Sequence, residues 1–328
     1  MKKNKEISII IPNWNGEKQL QKNLPLLFNV LAKFEGKSEI IIVDDKSRDG
    51  SRKYLKQLTI KSPKLKVKNS QKQTPTKPSI PHLRIILNKE NVGFARSVNK
   101  GVKAAQYNVV FLLNTDVVVK KGCFEAILSH FDEPDVFAVG ANADWQLGIV
   151  SFKGGFFDIS QPLKISRNTT KAQNSSWVSG GHSAFRKSIW QELGGIDILF
   201  SPFYFEETDL CYRAWKRGYR VLWEPKSRVD HRHEESVIRQ NFSPDYINFI
   251  AQRNQLFFIW KNLHDPKMFK EHCFNLMRRL LKHPKYFRVF FAACRRLPQV
   301  LVKRKIEKQV AILSDKEVFE KISRRSER

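Results

Sequence analysis

The sequence has few acidic residues for its length. Its 328 residues include 32 Asp and Glu against 59 Lys and Arg, a net charge of +27. Such an imbalance predicts an anionic partner: nucleic acid, an anionic membrane surface or a phosphorylated substrate. Hydrophobic residues still make up 41% of the chain and aromatic residues 12%, which is enough for a packed core and excludes global disorder.

Cysteines and long apolar runs are also scarce. The four cysteines have neither metal-ligand spacing nor a paired framework, which is typical of reduced thiols in a cytoplasmic protein: Cys123, Cys211, Cys273 and Cys294. No run approaches the roughly 18 apolar residues of a membrane span, and three arginines interrupt the nearest one, residues 286–302. Residues 1–6 lead into only a short apolar run, so no signal peptide is predicted.

Apolar runs alternate with helical periodicity along the first half of the chain. Strands are predicted at residues 7–11, 39–43, 83–87 and 109–113, with amphipathic helices between them. This order predicts an α/β fold with a mostly parallel sheet. The first strand is expected to stop at Pro12, and no Gly-x-Gly-x-x-Gly follows it, which disfavours binding of NAD. Further strands are predicted at 136–140, 177–185 and 219–223, and helices at 123–131, 188–193, 210–216 and 246–260.

Two basic segments lie outside this pattern. Residues 62–81 carry lysines and prolines without an acidic residue and are predicted to be a flexible insertion. Beyond residue 261, aromatic and aliphatic clusters alternate with Arg and Lys clusters. Such amphipathic helices suit either the surface of an anionic bilayer or a helical appendage packed on the main domain. We therefore predict a main α/β domain over 1–240 and a basic helical region over 241–328.

The strand at 109–113 ends on Asn114-Thr115-Asp116. Because side chains alternate along an extended chain, Asn114 and Asp116 lie on the same side and offer an amide and a carboxylate oxygen. This pair suits a divalent cation shared with phosphate oxygens. The alternative is an ordinary Asn/Asp turn after the strand.

Three other strand ends also carry polar or aromatic groups, at residues 12–15, 44–45 and 91–99. The carboxyl ends of parallel strands form the ligand-binding edge of such a sheet. Trp14 could stack on a base, Asp45 could accept a hydrogen bond from base or ribose, and the cation could hold a diphosphate. The sequence thus predicts a nucleotide-diphosphate pocket.

An acidic cluster follows the aromatic residues at 203–205 and contains Glu206, Glu207 and Asp209. Desolvation by those aromatic rings would raise the pKa of a carboxyl group and make it a candidate general base. The alternative is ordinary negative charge at the start of a helix. His231 and His233 are further candidates for contact with a metal or phosphate, although such residues are more often structural.

The ordered motifs resemble the family 2 glycosyltransferases with the GT-A fold, particularly their bacterial rhamnosyltransferase-like branch. The resemblance covers about residues 6–260 and lies in SIIIPNWN (8–15), IIVDDKSRDGS (41–51), NVGFARSVNKG (91–101), LLNTD (112–116), GGID (194–197), YFEETDLCYR (204–213) and His231. It implies inverting transfer of a sugar from a nucleotide-diphosphate sugar, such as a dTDP- or UDP-sugar with dTDP-rhamnose one candidate, to a hydroxyl group. The acceptor would be lipid-linked or a polysaccharide, and the cofactor Mg²⁺ or Mn²⁺.

The resemblance also implies roles for individual residues. Asp116 would be the principal metal ligand, with Asn114 and His231. Glu207 would be the general base although the family usually has Asp there, and Glu206 would share that role. The predicted nucleotide- or substrate-binding residues are Pro12, Asn13, Trp14, Asn15, Asp45, Gly93, Arg96, Asn99, Asn114, Gly181 and Asp209.

Two other classes of function stay open from the sequence. The glutamate at 207 is compatible with a non-catalytic module that binds nucleotide sugar or glycan. The positive charge is compatible with nucleic-acid binding through phosphate contacts. However, no zinc-finger or RNA-binding signature is present, so no specific nucleic-acid partner is expected. The leading prediction is a cytoplasmic enzyme, peripheral at the inner face of the cell membrane.

Overall fold

A large mixed sheet forms the centre of the protein. The computed structural model describes residues 5–61, 82–159, 163–231 and 237–323. Within these ranges nine strands form one sheet: β1 (Glu6–Asn13), β2 (Lys37–Asp44), β3 (His82–Leu87), β4 (Val109–Leu113), β5 (Val117–Val119), β6 (Val136–Asn142), β11 (Gln173–Asn174), β12 (His182–Arg186) and β13 (Arg220–His231). Two short antiparallel pairs stand apart, β7 (Gln146–Leu147) with β10 (Leu163–Lys164) and β8 (Ser151–Lys153) with β9 (Phe156–Asp158).

The sheet order is β11-β13-β6-β12-β4-β1-β2-β3, with β5 paired to β13. The strands from β4 through β1 and β2 to β3 are parallel, as predicted. Strand β12 is antiparallel to both β4 and β6. Because of this direction, the first residue of β12, His182, pairs with the last residue of β4, Leu113. The start of β12 therefore lies at the carboxyl edge of the parallel strands.

Helices cover the sheet and form the C-terminal region. They are α1 (Glu17–Leu31), α2 (Ser51–Lys61), α3 (Phe94–Ala104), α4 (Cys123–Leu128), α5 (Lys187–Glu192), α6 (Glu206–Lys216), α7 (Val237–Asn241), α8 (Pro244–Asn262), α9 (Pro266–Lys282), α10 (Phe287–Cys294), α11 (Leu297–Val310) and α12 (Asp315–Ser323). None of the helices described here is long and apolar enough to cross a membrane.

The core lies on both faces of the sheet. Along β1, Ile9 and Ile11 belong to one hydrophobic cluster and Ile10 to the other, as expected for a strand buried on both sides. The cluster that contains Ile10 continues into the C-terminal helices and includes the buried side chains of Leu276 in α9 and Val318 in α12. These helices thus pack against the body of the protein. The division of the chain at residue 240 stays a prediction.

Some predicted boundaries were wrong. Strand β1 continues through Pro12 to Asn13, because its pairing with β4 ends at Ile10 and the N–H group that proline lacks is not needed there. Strand β13 extends to His231, beyond the predicted end at residue 223. Strand β12 begins only at His182, after a turn that contains two glycines. The predicted insertion at 62–81 lies outside the described residues.

Candidate functional site

The carboxyl ends of β1, β2 and β4 bring most of the predicted nucleotide-binding residues to one edge. Pro12 and Trp14 are partly exposed there, whereas Asn13 is buried and donates to the Asp44 carboxylate at 2.9 Å. Asn15 adopts a left-handed backbone conformation with φ of 53°, and its side chain accepts a hydrogen bond from the Arg48 amide. The loop after β1 is therefore held by the loop after β2, with the indole of Trp14 at its surface.

Asp45 organises the start of α3. Its carboxylate accepts hydrogen bonds from the amides of Val92 and Gly93 at 2.9 and 2.8 Å and from the Asn88 side chain at 2.9 Å. Gly93 has a φ of 86°, a conformation that favours glycine. Asp45 thus fixes the approach to the helix that carries Arg96, an exposed residue of its first turn.

Two predicted ligand-binding residues have structural contacts instead. The side chain of Asn99 exchanges two hydrogen bonds with the backbone of Ile196, at 2.8 and 3.0 Å. Asp209 is fully buried and bound to Arg213, Lys261 and Asn262. These partners surround its carboxylate, so the prediction that Asp209 contacts substrate was wrong.

The three predicted metal ligands converge beside β5. Strand pairing places His231 opposite Val117, one residue after Asp116. His231 Nε2 lies 3.6 Å from Asp116 Oδ2, and the backbone N–H of Asn114 donates to the carbonyl of Gly181 at 2.9 Å. Asp116 Oδ1 is buried and accepts no hydrogen bond from the described part of the chain, as expected of an oxygen that serves a cation.

A carboxylate, an amide oxygen and an imidazole suit a divalent cation that takes its other ligands from phosphate and water. Within the described residues, no group of three or more His, Cys, Asp or Glu is arranged to hold a metal by itself. The residues present therefore fit a cation that binds together with a diphosphate. His182, which was not predicted, lies beside this group with its ring 5.5 Å from that of His231.

Two consecutive glycines separate the metal group from the acidic cluster. A Cβ atom on Gly180 would lie 2.1 Å from Glu207 Oε1, and one on Gly181 would lie 2.6 Å from Asn114 Nδ2. The side chains of Glu207 and Asn114 thus lie closer to the backbone than a residue with a Cβ atom at position 180 or 181 would permit. Glu207 and Asn114 therefore contact adjacent residues of one peptide segment, Gly180 and Gly181.

Glu206 and Glu207 occupy the first turn of α6, and their surroundings favour protonation. Burial raises the pKa of Glu207 to about 7, partly opposed by hydrogen bonds from backbone amides that include Gly180. Burial and the neighbouring Glu207 raise the pKa of Glu206 well above the ordinary value for glutamate. Burial thus favours the protonated form of both carboxyls, and Glu207, with a pKa near 7, can gain or lose a proton at neutral pH.

Two protein-family models match the chain. A model described as "Glycosyl transferase family 2" matches residues 8–194, and a model described as "Glycosyl transferase family group 2" matches residues 109–299. The chain belongs to glycosyl transferase family 2. The rhamnosyltransferase-like branch stays a prediction.

Curated proteins similar to this family member include a probable N-acetylgalactosaminyltransferase 6 of Caenorhabditis elegans, 28% identical over 59% of this chain and 32% of the relative. Another is a poly-beta-1,6-N-acetyl-D-glucosamine synthase of Staphylococcus aureus, 25% identical over 67% of this chain and 48% of the relative. This chain thus spans between a third and a half of the length of these relatives.

Solved structures of similar fold include GalNAc-T7 with UDP, GalNAc and Mn²⁺, with a TM-score of 0.59 and 14% identity over 87% of this chain and 57% of that one. A Pyrobaculum calidifontis mannosyltransferase in complex with GDP-Man and Mn²⁺ has a TM-score of 0.53 and 12% identity over 92% and 86% of the two chains. The fold of this family 2 member is accordingly of the GT-A type.

The loop that precedes α6 has an anchor that the sequence did not reveal. Tyr204 and Phe205 both have positive φ, 70° and 73°, which is costly for aromatic residues. Asn254 of α8, fully buried, points its amide nitrogen at the carbonyl oxygens of Phe200, Phe203 and Tyr204, at 2.6, 2.9 and 2.9 Å. This one side chain holds the loop that presents Glu206 and Glu207.

Proposed function

We propose that the protein transfers a sugar from a nucleotide-diphosphate sugar to an acceptor hydroxyl group, with inversion at the sugar carbon. The observation that carries the proposal is the position of Gly180-Gly181 between Glu207 and Asn114. It puts a carboxylate suited to accept a proton next to groups suited to hold a leaving diphosphate. A binding module has no need of a base with a pKa near neutrality.

The donor would lie along the carboxyl edge of the sheet. Trp14 offers a partly exposed ring for the base, and the loops anchored by Asp45 line the same edge. Asp116, Asn114 and His231 would hold Mg²⁺ or Mn²⁺ with the diphosphate. When bound, the cation neutralises charge that develops on the leaving nucleotide.

Glu207 would take the proton from the attacking hydroxyl group. With a pKa of about 7, it is partly ionised at neutral pH and binds a proton well enough to assist the attack. Burial and the charge of Glu207 both raise the pKa of Glu206. Glu206 would therefore stay protonated, so that no second negative charge forms beside Glu207.

The acceptor would be lipid-linked or a glycan, and the protein would work at an anionic membrane surface. The outward side of α9 and α10 carries five exposed apolar residues, here called the apolar stripe: Phe274, Met277, Leu281, Phe287 and Phe291. Lys270, Arg278 and Lys282 lie on the same exposed side of α9. An apolar surface edged with cations complements the interface of an anionic bilayer.

The proposed reaction predicts metal-dependent turnover. Purified protein with Mn²⁺ or Mg²⁺ is expected to release nucleotide from one member of a panel of UDP-, dTDP- and GDP-sugars. Asp116→Ala is expected to reduce this release at least 100-fold, because the buried carboxylate that would hold the cation is gone. Chromatography of the released nucleotide measures both.

Asp230→Ala is a matched control, since Asp230 is exposed and paired with Lys120 in the same strand pair. It should leave nucleotide release within about two-fold of wild type. Binding of a nucleotide sugar without release, with acceptors present, would favour the non-catalytic module. Binding of no nucleotide sugar would refute the proposal.

The membrane proposal predicts co-flotation with vesicles that contain about one third phosphatidylglycerol. Serine at Phe274, Leu281 and Phe291 together is expected to lower the bound fraction at least ten-fold, since three exposed apolar groups leave the interface. Ile312→Ser, at an equally exposed position outside α9 and α10, is the control. Equal binding by the triple variant and wild type would exclude the stripe as the docking surface.

A further inference from the structure

A basic groove lies between α8 and the corner where α9 meets α10. Its volume is about 790 Å³. Phe249 of α8 forms one wall, and Arg279, His283, Lys285, Tyr286 and Arg288 form the other. Asp245 is the only acidic residue among the described residues that line it. The groove is therefore strongly cationic and has aromatic walls.

Its arginines are held in place by aromatic rings. The guanidinium of Arg288 lies 4.9 Å from the centre of the Phe249 ring, and that of Arg279 lies 5.2 Å from the centre of the Tyr286 ring. Neither arginine, nor Lys285, forms an ion pair with an acidic residue in the part of the chain described here. A stacked guanidinium keeps the N–H groups along its edge available for an anion.

The groove adjoins the loop of the candidate base. Phe249 and Asn254 are both on α8, so they are separated by roughly 8 Å along the helix axis. Asn254 holds the carbonyl of Tyr204, two residues before Glu206. Tyr246, the chain neighbour of Asp245, places its ring 6.3 Å from that of Phe203, which directly precedes Tyr204. Helix α8 thus carries both a wall of the groove and the anchor of the loop that precedes the acidic cluster.

We infer that this groove binds a phosphate or diphosphate group of the acceptor, and so selects acceptors that carry phosphate near the hydroxyl that is glycosylated. Planar, immobilised guanidinium groups match phosphate oxygens through paired hydrogen bonds. The cation at the metal group would serve the donor, and the groove would give the acceptor phosphate a separate set of charges. Assignment to the acceptor rests on the proposed transferase function; binding of phosphate does not.

Inorganic pyrophosphate tests the site by calorimetry with EDTA present, so that no divalent cation recruits it to Asp116. The double variant Lys285→Gln/Arg288→Gln is expected to weaken binding at least ten-fold, because two charge-assisted contacts are lost. The double variant Arg278→Gln/Lys282→Gln removes the same charge from the same corner but from residues that do not line the groove. It should weaken binding less than three-fold. Equal weakening by both doubles, or no weakening by the first, would overturn the site.

Competition then distinguishes the source of the phosphate. Dodecyl phosphate, used below its micellar concentration, represents a lipid carrier, and glucose 6-phosphate represents a phosphorylated glycan. Displacement of pyrophosphate by either one supports the acceptor assignment and names its class, and displacement by neither refutes it. Because no turnover is measured, failure of the donor screen would leave these results unaffected.

Discussion

Glu207→Gln is expected to lower the rate of sugar transfer by about 10² to 10⁴-fold, the range that a positioned general base contributes. Glutamine has nearly the same size but cannot accept the proton of an attacking hydroxyl group. The Km for the nucleotide sugar should change little, because the substitution leaves Trp14 and the predicted metal ligand Asp116 unchanged. Steady-state kinetics with the donor identified by the nucleotide screen measures both constants.

The same residue sets the expected pH dependence. Transfer by the wild type should rise with pH through a midpoint near 7, since only ionised Glu207 accepts a proton and burial holds its pKa there. Glu206→Gln removes the neighbouring carboxyl and tests which of the two carries the midpoint. A rise with the same midpoint but reduced height in Glu206→Gln assigns the base to Glu207. A retained midpoint with full activity in Glu207→Gln would assign it to Glu206.

Stability should move in the opposite direction to activity. Because the pKa of Glu207 is higher in the folded than in the unfolded state, the folded state holds more protons between about pH 4.5 and 7. The free energy of unfolding of the wild type therefore falls as pH rises through this window. Glu207→Gln, which does not titrate, should gain on the order of 2 kcal/mol relative to wild type between pH 5 and pH 8. Urea unfolding at both pH values measures the gain, and its absence would contradict the buried carboxylate.

Asn254→Leu is expected to reduce both stability and turnover. Leucine fills a similar volume but leaves two buried carbonyl oxygens and one partly buried carbonyl oxygen without their donor, at a cost of about 3 kcal/mol or more after partial relaxation. The loop with Tyr204 and Phe205 in strained conformations would then relax and move Glu206 and Glu207. The rate of transfer should fall at least 100-fold at temperatures where the variant is still folded.

Asn275→Leu is the matched control, since Asn275 on α9 donates only to the carbonyl of Glu271 in its own helix. It should cost less than about 1 kcal/mol. The pH profile separates positioning from simple destabilisation. If Asn254 positions the base, the midpoint of activity in the variant should shift below 7, because Glu207 becomes more exposed to water. A variant that is destabilised but keeps the wild-type midpoint and rate would disprove the positioning role.

Local patterns predicted the first half of the fold and one side of the site. Strands β1 to β4 are short continuous apolar runs, and their polar ends must meet wherever the strands are parallel. Asn114 and Asp116 were predicted in this way to lie at that edge of the sheet. His182, which lies beside the predicted metal ligands, was not predicted. It belongs to β12, which runs antiparallel, and nothing in the sequence around His182 fixes the direction of that strand.

Long-range contacts account for the rest. The importance of Gly180 depends on Glu207, 27 positions later, and that of Asn254 on carbonyl groups about 50 positions earlier. Neither residue has a local signal beyond its type. Asp209 was wrongly assigned for the same reason: its ion pair with Arg213 lies within α6, but the one with Lys261 becomes visible only when α6 and α8 are side by side.

Asp315, in the first turn of α12, fixes the order in which the site can be completed during synthesis. Its buried carboxylate accepts hydrogen bonds from Tyr212 and Lys216 of α6 and from the amides of His264 and Asp265. Until a residue 99 positions after Lys216 has left the ribosome, the lysine has no anion at its buried position. The helix that presents Glu207 thus reaches its final environment late, after the sheet and the donor edge have been translated.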